Sequence, residues 1–171
     1  MRKIVLQLAV SLDGFIEGPK GEYDWCFTDQ DYGMTEFFDR IDAVFVGRKS
    51  YEMSLSMEGE FPGMPKLQQY VFSETVDTVK EGSTLIRGDI KQKVLDIKSQ
   101  EGKDIWLFGG ASLTSSLINL GLVDELILAV HPIILGSGKH LFQDIENRVP
   151  LTLLNTKDYS SGLVMLTYKL A

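Results

Sequence analysis

Ile105-Trp106-Leu107-Phe108-Gly109-Gly110-Ala111-Ser112-Leu113 constrains this chain more than any other stretch. Four apolar residues in a row predict a strand buried on both faces, as in a parallel sheet. Two glycines follow, then Leu113, Leu117, Ile118 and Leu120 at helical spacing. The order is strand, glycine turn, helix. At such a turn the first helical amides have no carbonyl partner and the helix dipole adds positive charge, so a phosphate fits there. Glycine lets the main chain approach that ligand without a Cβ in the way. The same residues also suit a tight turn with nothing bound.

A second junction has the same grammar. Ala43-Val44-Phe45-Val46 reads as a buried strand, and Gly47-Arg48-Lys49-Ser50 follows it. Cations at a helix start oppose the dipole. They imply either an anionic partner or a solvated basic pair. The remaining strands are expected at 3–10, 69–73, 84–86 and 124–130, with an extended piece over 131–138. Helices are expected from Asp29 or Asp31 to about Arg40, and from an Asp89 cap to about Gln100, stopped by Gly102. Residues 53–66, with Gly59, Pro62, Gly63 and Pro65, read as irregular. Ser11 to Gly21 reads as a glycine-rich loop, either a mobile cover over a site or a plain surface turn. The runs 151–158 and 163–170 alternate around Ser160-Ser161-Gly162 and predict a closing antiparallel hairpin.

Alternating strands and helices require a mostly parallel sheet covered on both faces. The expectation is one α/β domain over 1–171. It has three layers (αβα) and a mixed eight-stranded sheet ending in the antiparallel hairpin. In such sheets ligands bind beyond the carboxyl ends of strands. Asp13-Gly14, Gly47-Arg48-Lys49-Ser50 and Gly109-Gly110 all fall at such ends.

Composition narrows the partners. A net charge of −7 argues against nucleic acid or an anionic membrane as the main partner. One cysteine, Cys26, and two histidines, His131 and His140, exclude an internal disulfide and a Cys- or His-built metal cage. No segment reads as a membrane span or a secretory signal, so a cytoplasmic protein is expected. Cys26 lacks a neighbouring histidine to activate it. His131 reads as structural, His140 as exposed, and Glu36 as part of a solvated face. Trp25 lies between the glycine-rich loop and the first helix and stands out among aromatics that otherwise read as core.

Four motifs together resemble the dihydrofolate reductase superfamily. They are Ser11-Leu12-Asp13-Gly14-Phe15-Ile16, Val46-Gly47-Arg48-Lys49-Ser50-Tyr51-Glu52, Phe108-Gly109-Gly110-Ala111-Ser112-Leu113 and Pro132-Ile133-Ile134-Leu135-Gly136-Ser137-Gly138. Within it, the chain looks most like the reductase domain of bacterial riboflavin biosynthesis and its stand-alone relatives. The resemblance implies NADPH. It assigns the pyrophosphate to Gly109, Gly110, Ala111 and Ser112, flanked by Phe108 and Leu113. It assigns phosphate and adenosine to Gly47, Arg48, Lys49 and Ser50, and the 2′-phosphate to the surroundings of Ser73 and Arg87. The nicotinamide would border Ala9, Val10 and Ile16. Asp31 matches the first-helix carboxylate of folate enzymes, or is simply an N-cap. Asp13 either binds substrate polar groups or shapes its turn.

The implied activity is NADPH-dependent reduction of a small pyrimidine- or pterin-like heterocycle, with 5-amino-6-(5-phosphoribosylamino)uracil as one candidate substrate. Dihydrofolate reduction, a non-catalytic nucleotide-binding module and a flavin-binding protein are the alternatives. Gly33 and the absence of a pteridine-facing aromatic spacing depart from folate enzymes, and the 171 residues contain no zinc deaminase domain. A homodimer is expected through the terminal hairpin and the Ile133 to Leu135 run.

Overall fold

The computed structural model describes residues 1–56 and 63–171. β1 (Ile4–Ser11) is followed by a short β2 (Phe15–Glu17), α1 (Met34–Asp39), β3 (Ile41–Gly47) and α2 (Arg48–Ser56). Then come β4 (Gln68–Phe72), β5 (Ser83–Ile86), α3 (Ile90–Ser99), β6 (Asp104–Gly109) and α4 (Ala111–Asn119). β7 (Glu125–His131), β8 (Lys139–His140), β9 (Leu151–Asp158) and β10 (Val164–Leu170) complete the chain. Eight strands form one sheet in the order β5-β4-β3-β6-β1-β7-β10-β9. The first six are parallel to their neighbours, and β10 is antiparallel to both β7 and β9.

Two apolar layers flank this sheet because strand side chains alternate. Ile4, Leu6, Phe45, Ile105 and Leu107 face α3 and α4, packing on Val94, Ile97, Leu113 and Leu117. Val5, Val44, Val46 and Trp106 face α1 and α2, packing on Phe37, Phe38 and Tyr51. The fold is therefore the expected three-layer α/β arrangement. α3 is capped by Asp89, whose carboxylate accepts the Gln92 N–H at 3.0 Å. α4 ends at Gly121 (φ 67°), where the Leu122 N–H reaches the Leu117 carbonyl at 2.9 Å.

Four local expectations change. The first helix is only six residues long, because Tyr32 (φ 48°) and Gly33 (φ 81°) turn the chain left-handed just before it. Asp31 lies outside it. The second helix runs to Ser56, so 53–56 are helical and not irregular. Gly59 and Pro62 lie outside the described residues. The α3 stop is Gln100 in extended conformation; Gly102 serves a different need, since a Cβ there would meet Asp42 Oδ2 at 2.7 Å.

The largest change concerns the glycine-rich loop. It is anchored, not free. Phe15 pairs with His140 and Glu17 with Lys139 in a two-stranded ribbon. The Leu12 N–H donates to the Ile133 carbonyl and the Leu141 N–H to the Gly14 carbonyl, both at 2.9 Å. His131 closes β7, and residues 132–138 therefore form no strand of the main sheet. They become a strap laid across the β1–β2 loop.

Candidate nucleotide cleft

β3 and β6 are parallel neighbours, so their carboxyl ends emerge side by side. α2 starts at the residue after Gly47, and α4 starts two residues after Gly109. A Cβ on Gly47 would lie 3.7 Å from the Gly110 nitrogen and from Leu113 Cβ, which shows how closely the two corners abut. The Gly109–Gly110 peptide is cis, and Gly109 has φ 117°. Gly110 caps α4 without a side chain. Thr114 is the first α4 residue to donate back, to the Gly110 carbonyl at 3.0 Å. The amides of Ala111, Ser112 and Leu113 precede it and have no helical acceptor.

These corners open onto a cleft of about 480 Å³. Gly47, Arg48, Lys49 and Ser50 form one wall, and Gly110, Ala111, Ser112, Leu113 and Ser116 another. Phe72, Ser73, Glu74, Thr75, Ile86 and Ile90 close one end, and Lys139 and Gln143 reach in from the strap. A Cβ on Gly110 would stand 3.4 Å from Ser50 Oγ, inside this space.

The charge on the cleft is mostly cationic. Arg48 is exposed and pairs with Glu52 at 3.3 Å one helical turn on, so part of the expected anionic compensation is internal. Lys49 has no ion-pair partner among the described residues. Arg87 donates from Nε to the Ser73 carbonyl at 3.1 Å, while its Nη2 is buried with no partner. Ser73 Oγ accepts the Thr75 and Val76 amides and folds that loop beside the guanidinium. Glu74 is occupied by the Gly88 N–H at 3.0 Å. Hydroxyls, free amides and underused cations at one cleft form a donor set suited to phosphate.

Nine of the residues expected to bind cofactor line this cleft: Gly47, Arg48, Lys49, Ser50, Ser73, Gly110, Ala111, Ser112 and Leu113. Gly109 and Arg87 stand just behind it. Phe108 packs on Trp106 with ring centroids 5.0 Å apart. Ala9, Val10 and Ile16 lie elsewhere: Ala9 and Val10 pair with Ala129 and Val130 of β7, and Ile16 sits in β2. Sequence reasoning missed Thr75, Ser116, Lys139 and Gln143. Ser116 was within reach, being one helical turn from Ser112; Lys139 and Gln143 carried no local signal.

Both candidate carboxylates act as acceptors for the surrounding chain. Asp13 accepts the Ser11 hydroxyl at 2.7 Å and the Leu135 and Gly136 amides at 3.1 and 2.8 Å. These bonds, led by Ser11, hold its pKa down at about 2. Asp13 thus pins the strap to the β1–β2 loop. Asp31 is exposed and accepts the Thr35 hydroxyl at 2.7 Å and the Thr35 and Gly33 amides at 3.0 Å. Its pKa is also lowered, chiefly by Thr35. Burial pushes the Cys26 thiol up to about 11, with Asp24 adding to the shift. That thiol is a poor nucleophile. Trp25 stacks edge-on against His131, with centroids 5.3 Å apart, and its indole N–H is buried without a partner. Among the described residues no cluster of three metal-ligating side chains occurs, and no helix is long and apolar enough to cross a membrane.

Comparison with known proteins agrees with this geometry. The sequence model of the RibD C-terminal domain matches residues 2–165. The uncharacterized protein YyaP of Bacillus subtilis (strain 168) is 45% identical, over 98% of this chain and 94% of that protein. Among solved structures, a candidate riboflavin biosynthesis protein from Shewanella sp. PV-4 superposes with a TM-score of 0.87 at 24% identity, covering 99% of both chains. Dihydrofolate reductase from Enterococcus faecalis, solved with NADP(H), superposes with a TM-score of 0.69 at 18% identity, covering 98% of this chain and 96% of that one.

Proposed function

The chain belongs to the RibD C-terminal domain family, and on that footing we propose that it is an NADPH-dependent reductase of a small pyrimidine- or pterin-like heterocycle. The observation that carries the proposal is the meeting of two helix starts, at Arg48 and Ala111, on one cleft. A dinucleotide carries its charge as phosphates spaced along its length, and this cleft offers donors along its own. The Ala111, Ser112 and Leu113 amides suit the pyrophosphate. Lys49, beside Ser73 and Thr75, suits the ribose 2′-phosphate, with the Arg87 guanidinium behind Ser73 adding positive charge. Gly110 keeps open the space that a side chain would take.

When bound, NADPH would supply a hydride; the protein's task is to hold its ring against an electrophilic carbon. Ala9 and Val10 at the end of β1, with Ile16, would border that ring. Asp13 shapes the loop there. Asp31 is ionised and exposed, and it retains lone pairs that a substrate N–H can use. We assign it to substrate binding. The exposed Leu151, Leu153 and Leu154 of edge strand β9 support a homodimer.

The test is direct. NADPH should bind tighter than NADH, and Lys49→Ala should narrow the gap. Stopped-flow oxidation of NADPH against a panel of pterins and pyrimidines, including 5-amino-6-(5-phosphoribosylamino)uracil, then distinguishes a reductase from a nucleotide-binding module. No NADPH binding at millimolar concentration would sink both readings.

A further inference from the structure

The strap over 132–146 joins two regions that the sheet alone leaves apart. At one end it is sewn to the β1–β2 loop by Asp13, by the β2–β8 ribbon and by Phe15, whose ring stacks on His140 at 4.2 Å. At the other it is tied to α4: Ser115 Oγ donates to the Gln143 carbonyl, and Asn119 donates to the Asp144 carbonyl at 2.9 Å. Lys139, the first residue of β8, lines the cleft from this strap. Lys139 is half-buried, and no carboxylate lies within ion-pair distance of it among the described residues. Its backbone partner, Glu17, pairs with it only through the ribbon. A lysine drawn partly out of water without an acid beside it is left with unused donors. The cleft it enters is the one already supplied with Lys49 and the α4 amides.

We propose that Lys139 is a further cationic contact to the phosphates of the dinucleotide, carried into the cleft by the strap and not by either helix corner. The proposal rests on the NADPH reading above. It adds to that reading a binding residue from a part of the chain that neither corner contains. The strap fixes the lysine's backbone before ligand arrives, so no main-chain ordering is added to the cost of binding.

The experiment is a calorimetric titration of NADPH into the wild-type chain and three variants. Lys139→Gln removes the charge. Lys139→Arg restores it. Lys169→Gln removes the same charge from β10, at the opposite end of the parallel strands. One charge-assisted hydrogen bond at a half-exposed site corresponds to a roughly tenfold change in Kd. The expected result is that weakening for Lys139→Gln, recovery to within about threefold for Lys139→Arg, and no change for Lys169→Gln. Added salt should shrink the difference between wild type and Lys139→Gln. Thermal midpoints of the ligand-free proteins should coincide, which removes misfolding as a cause. If wild type binds NADPH and Lys139→Gln binds it equally well, or is weakened no more than Lys169→Gln, the role of Lys139 is overturned while the cofactor reading stands. If wild type binds no NADPH, the cofactor reading itself fails and this assignment falls with it.

Discussion

His131 accepts a hydrogen bond at Nε2 from the Phe27 backbone N–H at 3.1 Å, and its Nδ1 lies 2.8 Å from the Ala129 carbonyl. Both ring nitrogens are therefore used, with the proton on Nδ1, and the imidazole is neutral. The histidine fastens the segment before α1 to the end of β7.

This pairing sets a pH dependence. Burial lowers the His131 pKa, against a smaller opposing effect of the Ala129 carbonyl. The folded state then binds fewer protons than the unfolded one as pH falls below about 6.5. Stability is fully present above that pH and declines below it. Urea unfolding of wild type at pH 7.5 and 5.5 should show the decline, and His131→Phe should show less of it. At pH 7.5 His131→Phe should be less stable by roughly 1–3 kcal/mol, because it leaves buried polar groups unpaired.

Gly138 stands against Glu17 so closely that a Cβ would lie 2.1 Å from the Glu17 carbonyl oxygen, and its φ is 142°. The obstacle is backbone and cannot swing aside. Gly138→Ala should cost about 2 kcal/mol or more and lower Tm by about 5 °C, measured by thermal unfolding.

Asp13→Asn tests the clamp between the strap and the β1–β2 loop. The native carboxyl, with its pKa near 2, is stabilising above the ordinary carboxylate pKa of about 3.9, and that contribution is lost as pH falls through about 2. Hydrogen exchange at the Leu135 and Gly136 amides should quicken in the variant at pH 7. The difference between the two proteins should close in strong acid. Unchanged exchange at both amides would refute the clamp.

Gly110→Ala is expected to spare the fold and harm the ligand. Its φ of −82° suits alanine, and the nearest neighbour of the new Cβ is Ser50 Oγ at 3.4 Å. Thermal unfolding should be within about 1 kcal/mol of wild type. NADPH affinity should fall at least roughly tenfold, because the methyl group occupies cleft space.

Leu153→Lys places a charge on an apolar edge strand, a device that blocks strand-to-strand association. Leu153 is 53% exposed, so the isolated chain should fold unchanged. Wild type should run as a dimer by light scattering at micromolar concentration, and the variant should shift towards monomer.

The layers of this protein were legible because they depend on local pattern. Ala43 to Val46 and Ile105 to Phe108 are uninterrupted apolar runs, which only strands covered on both faces can bury. The glycines that follow them mark both corners of the cleft for the same local reason: each is read from the few residues on either side. Asp89 announced a helix start through its own chemistry.

The rest was decided by contacts across long stretches of chain. Nothing near Lys139 says that it faces a cleft; its position follows from Glu17, more than a hundred residues earlier. Nothing near Asp13 announces that its carboxylate takes the Leu135 and Gly136 amides, more than a hundred residues on. Asp31 read as a first-helix carboxylate or a helix cap, and the left-handed turn at Tyr32 and Gly33 set it outside the helix, exposed. Sequence periodicity reports which face of an element meets water. It does not report which distant element supplies the opposing donor or charge, because that pairing exists only once the chain has closed on itself.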